Sequence, residues 1–226
     1  MPPQLEAPTE DMDEIENRDK HICWKIKGIA AKVTYRMFSK YGNPKFVEEK
    51  MLPFSKAFKE KYALALFESH LGTTLKRKNC FVGSKAINFA IKFISQSTKM
   101  PFTMDKLKPF VVQLLTEVVV TPLMLITHKD ITLFKEDSIE YVRKQQDFSE
   151  TLFAPKNTAI DFLTYAIQYR SSKKVKVPDY LTGFLQYCAH TLHQYQQATN
   201  AGQAIDWRIK EAILYAIGSI LEDIQP

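Results

Sequence analysis

Apolar side chains along this chain recur at three and four residues, the period of an amphipathic helix, and not at the alternation of a half-buried strand. The first stripe is Ile22, Ile26, Ile29, Val33 and Met37, widened by Trp24, Ala31, Tyr35 and Phe38, and it predicts a helix that Gly42 ends in the left-handed conformation common at helix termini. A second stripe, Val47, Met51, Phe54, Phe58, Tyr62 and Ala65, runs on through Leu71, and Pro53 kinks it or marks its true start. Val82, Ala86, Phe89 and Phe93 stand beside Cys80, Ile87, Ile91 and Ile94, giving a helix apolar on most sides. Beyond Pro101, a fourth helix uses Leu107, Phe110, Val111, Leu114, Leu115 and Val118 until Pro122 kinks or stops it.

The stretch Leu133 to Arg143 interrupts this rhythm. Asp137 can cap a new helix with Ser138 as its first residue, and Glu140 stands where its carboxylate can reach back to the cap's amide. Ile139 and Val142 give it a small apolar side, Tyr141 a large ring, and the stretch reads as a brace between helix pairs. After it, Pro155 suits the first position of a helix with Ala159, Phe162, Leu163, Ala166 and Ile167 inward. A basic turn at 171–177 leads to Leu181, Phe184, Cys188, Leu192 and Tyr195, and Asp206 caps a last helix containing Ile213, Leu214, Ile217, Ile220 and Leu221. Helix pairs that cannot bury their apolar faces alone, recurring at about forty to fifty residues, predict an all-α fold, a HEAT-like superhelix of antiparallel pairs. The expected organisation is a disordered acidic tail or linker over 1–20, then a repeat segment over 21–226 of about three pairs plus one unpaired final helix, which suggests a fragment.

The central landmark also resembles a known family. Glu136, Asp137, Glu140, Tyr141, Val142 and Arg143 are similar to the acidic Glu-Asp-x-x-Glu-Tyr-hydrophobic-Arg landmark of the importin-beta superfamily, in its importin seven/eight branch and more loosely in the exportin that recycles importin alpha. Ser138 departs from the family's proline, but both residues suit a first helical position. The similarity includes the run 36–44, Arg-Met-Phe-Ser-Lys-Tyr-Gly-Asn-Pro, and the run 207–212, Trp-Arg-Ile-Lys-Glu-Ala. The resemblance implies a nuclear transport receptor that carries protein cargo through nuclear pores and releases it on binding Ran in its GTP state. It implies nucleoporin contacts, basic cargo such as ribosomal proteins or histones, and residence in cytoplasm, nucleus and nuclear pore. It also implies that the second helix of each pair lines a concave, cargo-facing side. Those helices would span 45–75, 105–121 and 179–195, which makes Lys56, Lys59, Glu60, Lys106, Gln113, Glu117, Asp179, Gln186 and His193 the candidate partner contacts.

Composition narrows the picture. With 226 residues, 45% of them hydrophobic, the chain can bury a sizeable core, and seven glycines are few for a turn-rich sheet protein. The formal net charge is +6; the first nineteen residues hold seven acids against Arg18, so the remainder carries +12. That balance suits nucleic acid or acidic partners in principle, yet no nucleic-acid module accompanies it, and basic residues on solvated helix faces give the same count. Cys23, Cys80 and Cys188 have no disulfide or zinc spacing, which points to a reducing compartment. The apolar run 111–127 is short for a membrane span and contains Glu117 and Pro122, so membrane insertion is not expected.

Catalytic chemistry finds no foothold. Phosphate loops, dinucleotide fingerprints, serine elbows and paired-histidine zinc motifs are missing from the sequence. Cys188, His190 and His193 share one helix but fall short of a ligand set. The expectation is a binding protein that is not an enzyme and takes no cofactor or metal. The reading from another class is a static HEAT scaffold for a multiprotein complex, without Ran dependence.

Overall fold

The computed structural model describes residues 18–146 and 154–224. Among the described residues there is no strand, and helices run through two compact units that divide after Lys106.

Unit 1 is built on α1 (Ile22–Tyr41), which starts where the His21 ring accepts a hydrogen bond from Cys23 N–H at 3.3 Å. It ends at Gly42, whose N–H donates to Phe38 O at 2.8 Å. Gly42 is right-handed (φ −67°), against the left-handed cap expected; glycine suits the position because an added Cβ would lie 2.5 Å from Phe38 O. The chain then passes through two short 3-10 turns, Pro44–Phe46 and Glu49–Met51, into α2 (Leu52–Phe58), a π-helical segment (Lys59–Ala63) and α3 (Leu64–Lys76). Pro53 marks the helix start, as one of its two expected roles. α4 (Ser84–Ser97) packs most heavily on α1.

The directions follow from the contacts. Trp24 meets Phe81 edge-on, Gly28 faces Lys85, Tyr35 meets Phe89, and Phe38 stacks on Phe93 with centroids 4.1 Å apart. Residue numbers climb together, so α1 and α4 are parallel. Against α2 and α3 they run oppositely: Tyr41 O accepts from Ser55 Oγ at 2.6 Å, while Thr34 Oγ1 lies 2.8 Å from His70 Nε2. An antiparallel pair followed by a helix parallel to its first member is the step of a helix-pair repeat.

Two expected stripes are corrected here. On α1 the core takes Cys23, Trp24, Gly28 and Phe38, whereas Ile22, Ile26, Ile29 and Val33 are 61%, 47%, 54% and 53% exposed. The residues read as widening the stripe are the inward ones, because α4 covers the opposite side. On the second helix, Ser55 and Phe58 are buried, and the inward series then jumps five residues to Ala63 and continues through Phe67, His70 and Thr74. The π turn inserts one extra residue, so Tyr62 and Ala65, read as inward at a constant period, face solvent.

Unit 2 centres on α6 (Val111–Leu114) and the π-helical Leu115–Leu123, which bury Val111, Leu114, Leu115, Val118, Val119, Val120 and Leu123. The short α5 (Pro101–Leu107) leads into it. By length and composition alone, the run Pro101–Glu136 would suffice to cross a membrane. Its helical course breaks at Thr121 (φ −128°, ψ 113°), beside a cis Thr121–Pro122 bond, and its apolar residues supply this core. α7 (His128–Glu136) and α8 (Ser138–Gln146) form a hairpin. Packed on the π segment are α9 (Pro155–Gln168), α10 (Leu181–Asn200) and α11 (Trp207–Ser219), and the four-residue α12 (Leu221–Ile224) follows. The inward residues expected on α9 are all buried, as are Phe184 and Cys188 on α10.

Candidate protein-binding site

Within unit 1, Lys56, Lys59 and Glu60 are exposed along the helix from Leu52 to Lys76, and Lys59 Nζ sits 4.9 Å above the Phe102 ring. Lys106 is exposed at the end of that unit. Beside these residues α1 and α2 leave an apolar groove of about 330 Å³, lined by Met37, Phe54, Phe58, Tyr62 and Leu66.

The unit 2 candidates fall into separate settings. Gln113 Nε2 donates to Glu117 Oε2 at 2.9 Å, one turn apart on a single face. Tyr187 of α10 donates to Thr116 O at 3.2 Å and brings that helix beside the same face. Gln186 and His193 are exposed on α10, with His193 Nε2 2.9 Å from Gln197 Nε2. Asp179 closes a loop: both carboxylate oxygens accept from Ser171 N–H at 3.2 Å, and its own N–H donates to Tyr169 O at 2.9 Å. That carboxylate is committed to the turn between α9 and α10. Cys188 is buried beside the exposed His190 and His193, and burial pushes its thiol up to about 11, so it is a core thiol. No group of three His, Cys, Asp or Glu able to hold a metal occurs among the described residues.

At the landmark, Asp137 caps α8 as expected, its carboxylate accepting from Glu140 N–H at 2.9 Å. Glu140 does not complete a capping box. Its oxygens accept from Arg143 Nε and Nη2 at 2.6 and 2.7 Å, a bidentate pair that holds the Glu140 carboxyl below its usual range. The capping box belongs to the preceding helix, where Thr127 Oγ1 accepts from Asp130 N–H and Asp130 Oδ2 accepts from Thr127 N–H, both at 3.1 Å. Ile139 and Val142, expected to make an apolar side, are 81% and 49% exposed. Exposed too is Glu136. Tyr141 points the other way: its ring meets Phe134 edge-on at 5.4 Å, and burial with the charges of Asp130 and Glu211 raises its hydroxyl. It therefore packs within the α7–α8 hairpin.

Two clusters escaped sequence reading. Buried His70 stacks on Phe93 at 4.3 Å beside Thr34, and desolvation lowers its pKa to about 4. The five-residue step at the π turn was the missing signal. Lys156 lies 3.9 Å over the Tyr215 ring with Glu211 and Asp130 nearby. Burial lowers Lys156 and raises Glu211, so for both groups desolvation outweighs their mutual attraction.

Stacked helix pairs with dispersed polar residues on their outer faces define an all-α repeat protein of the HEAT-like kind. The profile of the Cse1 family matches residues 47–223, and the chain belongs to that family, within the importin-beta group. It is 27% identical over 203 residues to an importin beta-like SAD2 homolog of Arabidopsis thaliana, covering 89% of this chain and 19% of the relative. It is 26% identical over 221 residues to importin-8 of Danio rerio, covering 97% of this chain and again 19% of the relative. The chain thus spans about one fifth of the length of these relatives. No solved structure matches it.

Proposed function

We propose that this chain is a repeat segment of a nuclear transport receptor and contributes protein-binding surface for cargo moving between cytoplasm and nucleus through the pore. The family match over 47–223 carries the reading. Polar residues on second helices support it: exposed Lys56, Lys59 and Glu60 in one unit, and exposed Gln113, Gln186 and His193 with half-buried Glu117 in the other. Recognition by such a surface is spread over many residues and tuned by charge, with no single residue essential.

Basic cargo binds the isolated chain weakly, through the acidic positions Glu60 and Glu117, because the body of the chain is itself positive. Ran and nucleoporins are partners of the full receptor in this reading, and the segment by itself does not distinguish the GTP and GDP states of Ran. Titration with each Ran form, in the presence of a basic ribosomal protein, tests this. The expected result is weak cargo binding, reduced in a Glu60→Lys/Glu117→Lys variant and equal for both Ran forms. A strong preference for the GTP form would show that these repeats read the nucleotide, and no cargo binding at all would favour a static scaffold.

A further inference from the structure

The basic turn between α9 and α10 has no role in the reading above. Residues 170–177 run Arg-Ser-Ser-Lys-Lys-Val-Lys-Val, and Arg170, Lys173, Lys174, Lys176 and Val177 are exposed. Charge is segregated here. Between Asp161 and Asp206 these four are the only lysines and arginines in the sequence, and Asp179 is the only acid. A merely solvated helix face mixes both signs, whereas this stretch keeps them apart.

The fold holds the turn in one shape and uses up its acid in doing so. The Asp179 carboxylate accepts from Ser171 N–H, Asp179 N–H donates to Tyr169 O, and Val175 N–H donates to Ser172 O at 3.1 Å. Tyr169 and Tyr180 close its two ends with ring centroids 5.9 Å apart. Arg170 Nη1 donates to Gln168 O at 3.4 Å, at the end of α9. Lys173, Lys174 and Lys176 form no ion pair among the described residues. Lys108, at the start of the same unit, adds its charge close enough to act on the Tyr180 hydroxyl. In a stack of helix pairs the neighbours cover helix sides, and the connection inside a pair stands at the rim, so the exposure of this turn does not depend on which pairs flank it.

We propose that the turn 170–177 is a docking site for an acidic, extended segment of another polypeptide. Aspartates and glutamates of the segment meet Lys173, Lys174 and Lys176, and the pinned backbone presents those lysines with little ordering left to do on binding. A nucleic acid fits less well. Tyr169 and Tyr180 are occupied with each other and offer no platform for a base, and the charges gather in one turn instead of tracking a phosphate backbone. A lipid surface would want apolar side chains to insert beside the charges, and the turn exposes Val177 alone. Residues 1–17, with six acids and no base, are the chain's own competitor for the site, and the test removes their charge.

The test uses the full chain and a labelled twelve-residue peptide in which glutamates alternate with serine and alanine; the control peptide has glutamine at each glutamate. The acidic peptide binds, and the glutamine peptide binds at least about tenfold more weakly. Lys173→Glu/Lys174→Glu/Lys176→Glu lowers acidic-peptide affinity at least about tenfold with Tm unchanged, whereas Lys25→Glu/Lys45→Glu/Lys61→Glu, the same change in net charge at exposed lysines elsewhere, lowers it less than about threefold. Asp179→Ala weakens binding although it removes an acid, because the turn loses its hold; Asp179→Asn, which keeps an oxygen for Ser171 N–H, restores it. Equal losses in the two triple variants overturn the proposal, since net charge alone would then draw the peptide, and so does tighter binding by Asp179→Ala. Binding that appears only in Glu10→Gln/Asp11→Asn/Asp13→Asn/Glu14→Gln overturns it by making residues 1–17 the occupant. Tighter binding of a twelve-nucleotide oligothymidylate, or of phosphatidylserine vesicles, than of the acidic peptide overturns it in favour of a nucleic acid or a membrane.

Discussion

His70 couples stability to pH. In the unfolded chain its imidazole takes a proton near pH 6.5; between Thr34 and Phe93 it does so only at about 4. The unfolded state therefore binds more protons as pH falls, and the stability from neutral His70, present above pH 6.5, is lost between 6.5 and about 4. Linkage sets the loss at up to about 3 kcal/mol. Urea unfolding at pH 7 and pH 4 should show it, and His70→Gln should flatten the profile; equal slopes in both proteins would refute it. Tyr141→Ala should cost about 1 to 3 kcal/mol, with binding by the folded fraction retained, and an unchanged Tm would show that its ring is not part of the packing. That Tyr141 packs was legible because large rings seldom stand idle beside a helix start, and its ring meets Phe134 inside the α7–α8 hairpin. His70 was not, because its inward position depends on a turn that no propensity marks.

At the scale of elements, boundaries were the readable part. Pro155 begins α9, and Asp206 caps α11 by accepting from Arg208 N–H at 3.0 Å, both as their residue types require. Asp137→Ala should unravel the first turn of α8, and Thr127→Val that of α7, each at about 1 kcal/mol by thermal melting. A less visible cap serves α4, whose N-cap is Gly83 with no side chain to offer. Asp19 supplies the acceptor instead, taking Ser84 N–H at 2.7 Å across 65 residues of chain. Asp19→Ala should lower Tm much as losing a local cap does, about 1 kcal/mol of stability, and an unchanged Tm would show that water serves α4 equally well. No sequence window could show this contact. Apolar faces were half readable: the period gives helices, yet which side of α1 lies inward is decided by α4.

For the whole molecule, net charge governs encounters more than fold. With +6 overall and a strongly basic body, long-range repulsion should slow the approach of basic cargo and attraction should speed acidic partners. Stopped-flow measurements should find that added salt accelerates the first and slows the second; the same salt response for both would mean that local patches dominate. The all-α class was legible throughout because the period persists over the length of the chain. The π turn at Lys59–Ala63 also bears on comparison with other chains. A wide turn holds one residue more than a regular helical turn, so against any helix that lacks it a single-residue gap belongs between 59 and 63, and an alignment forced through without that gap equates buried positions with exposed ones from there to Lys76.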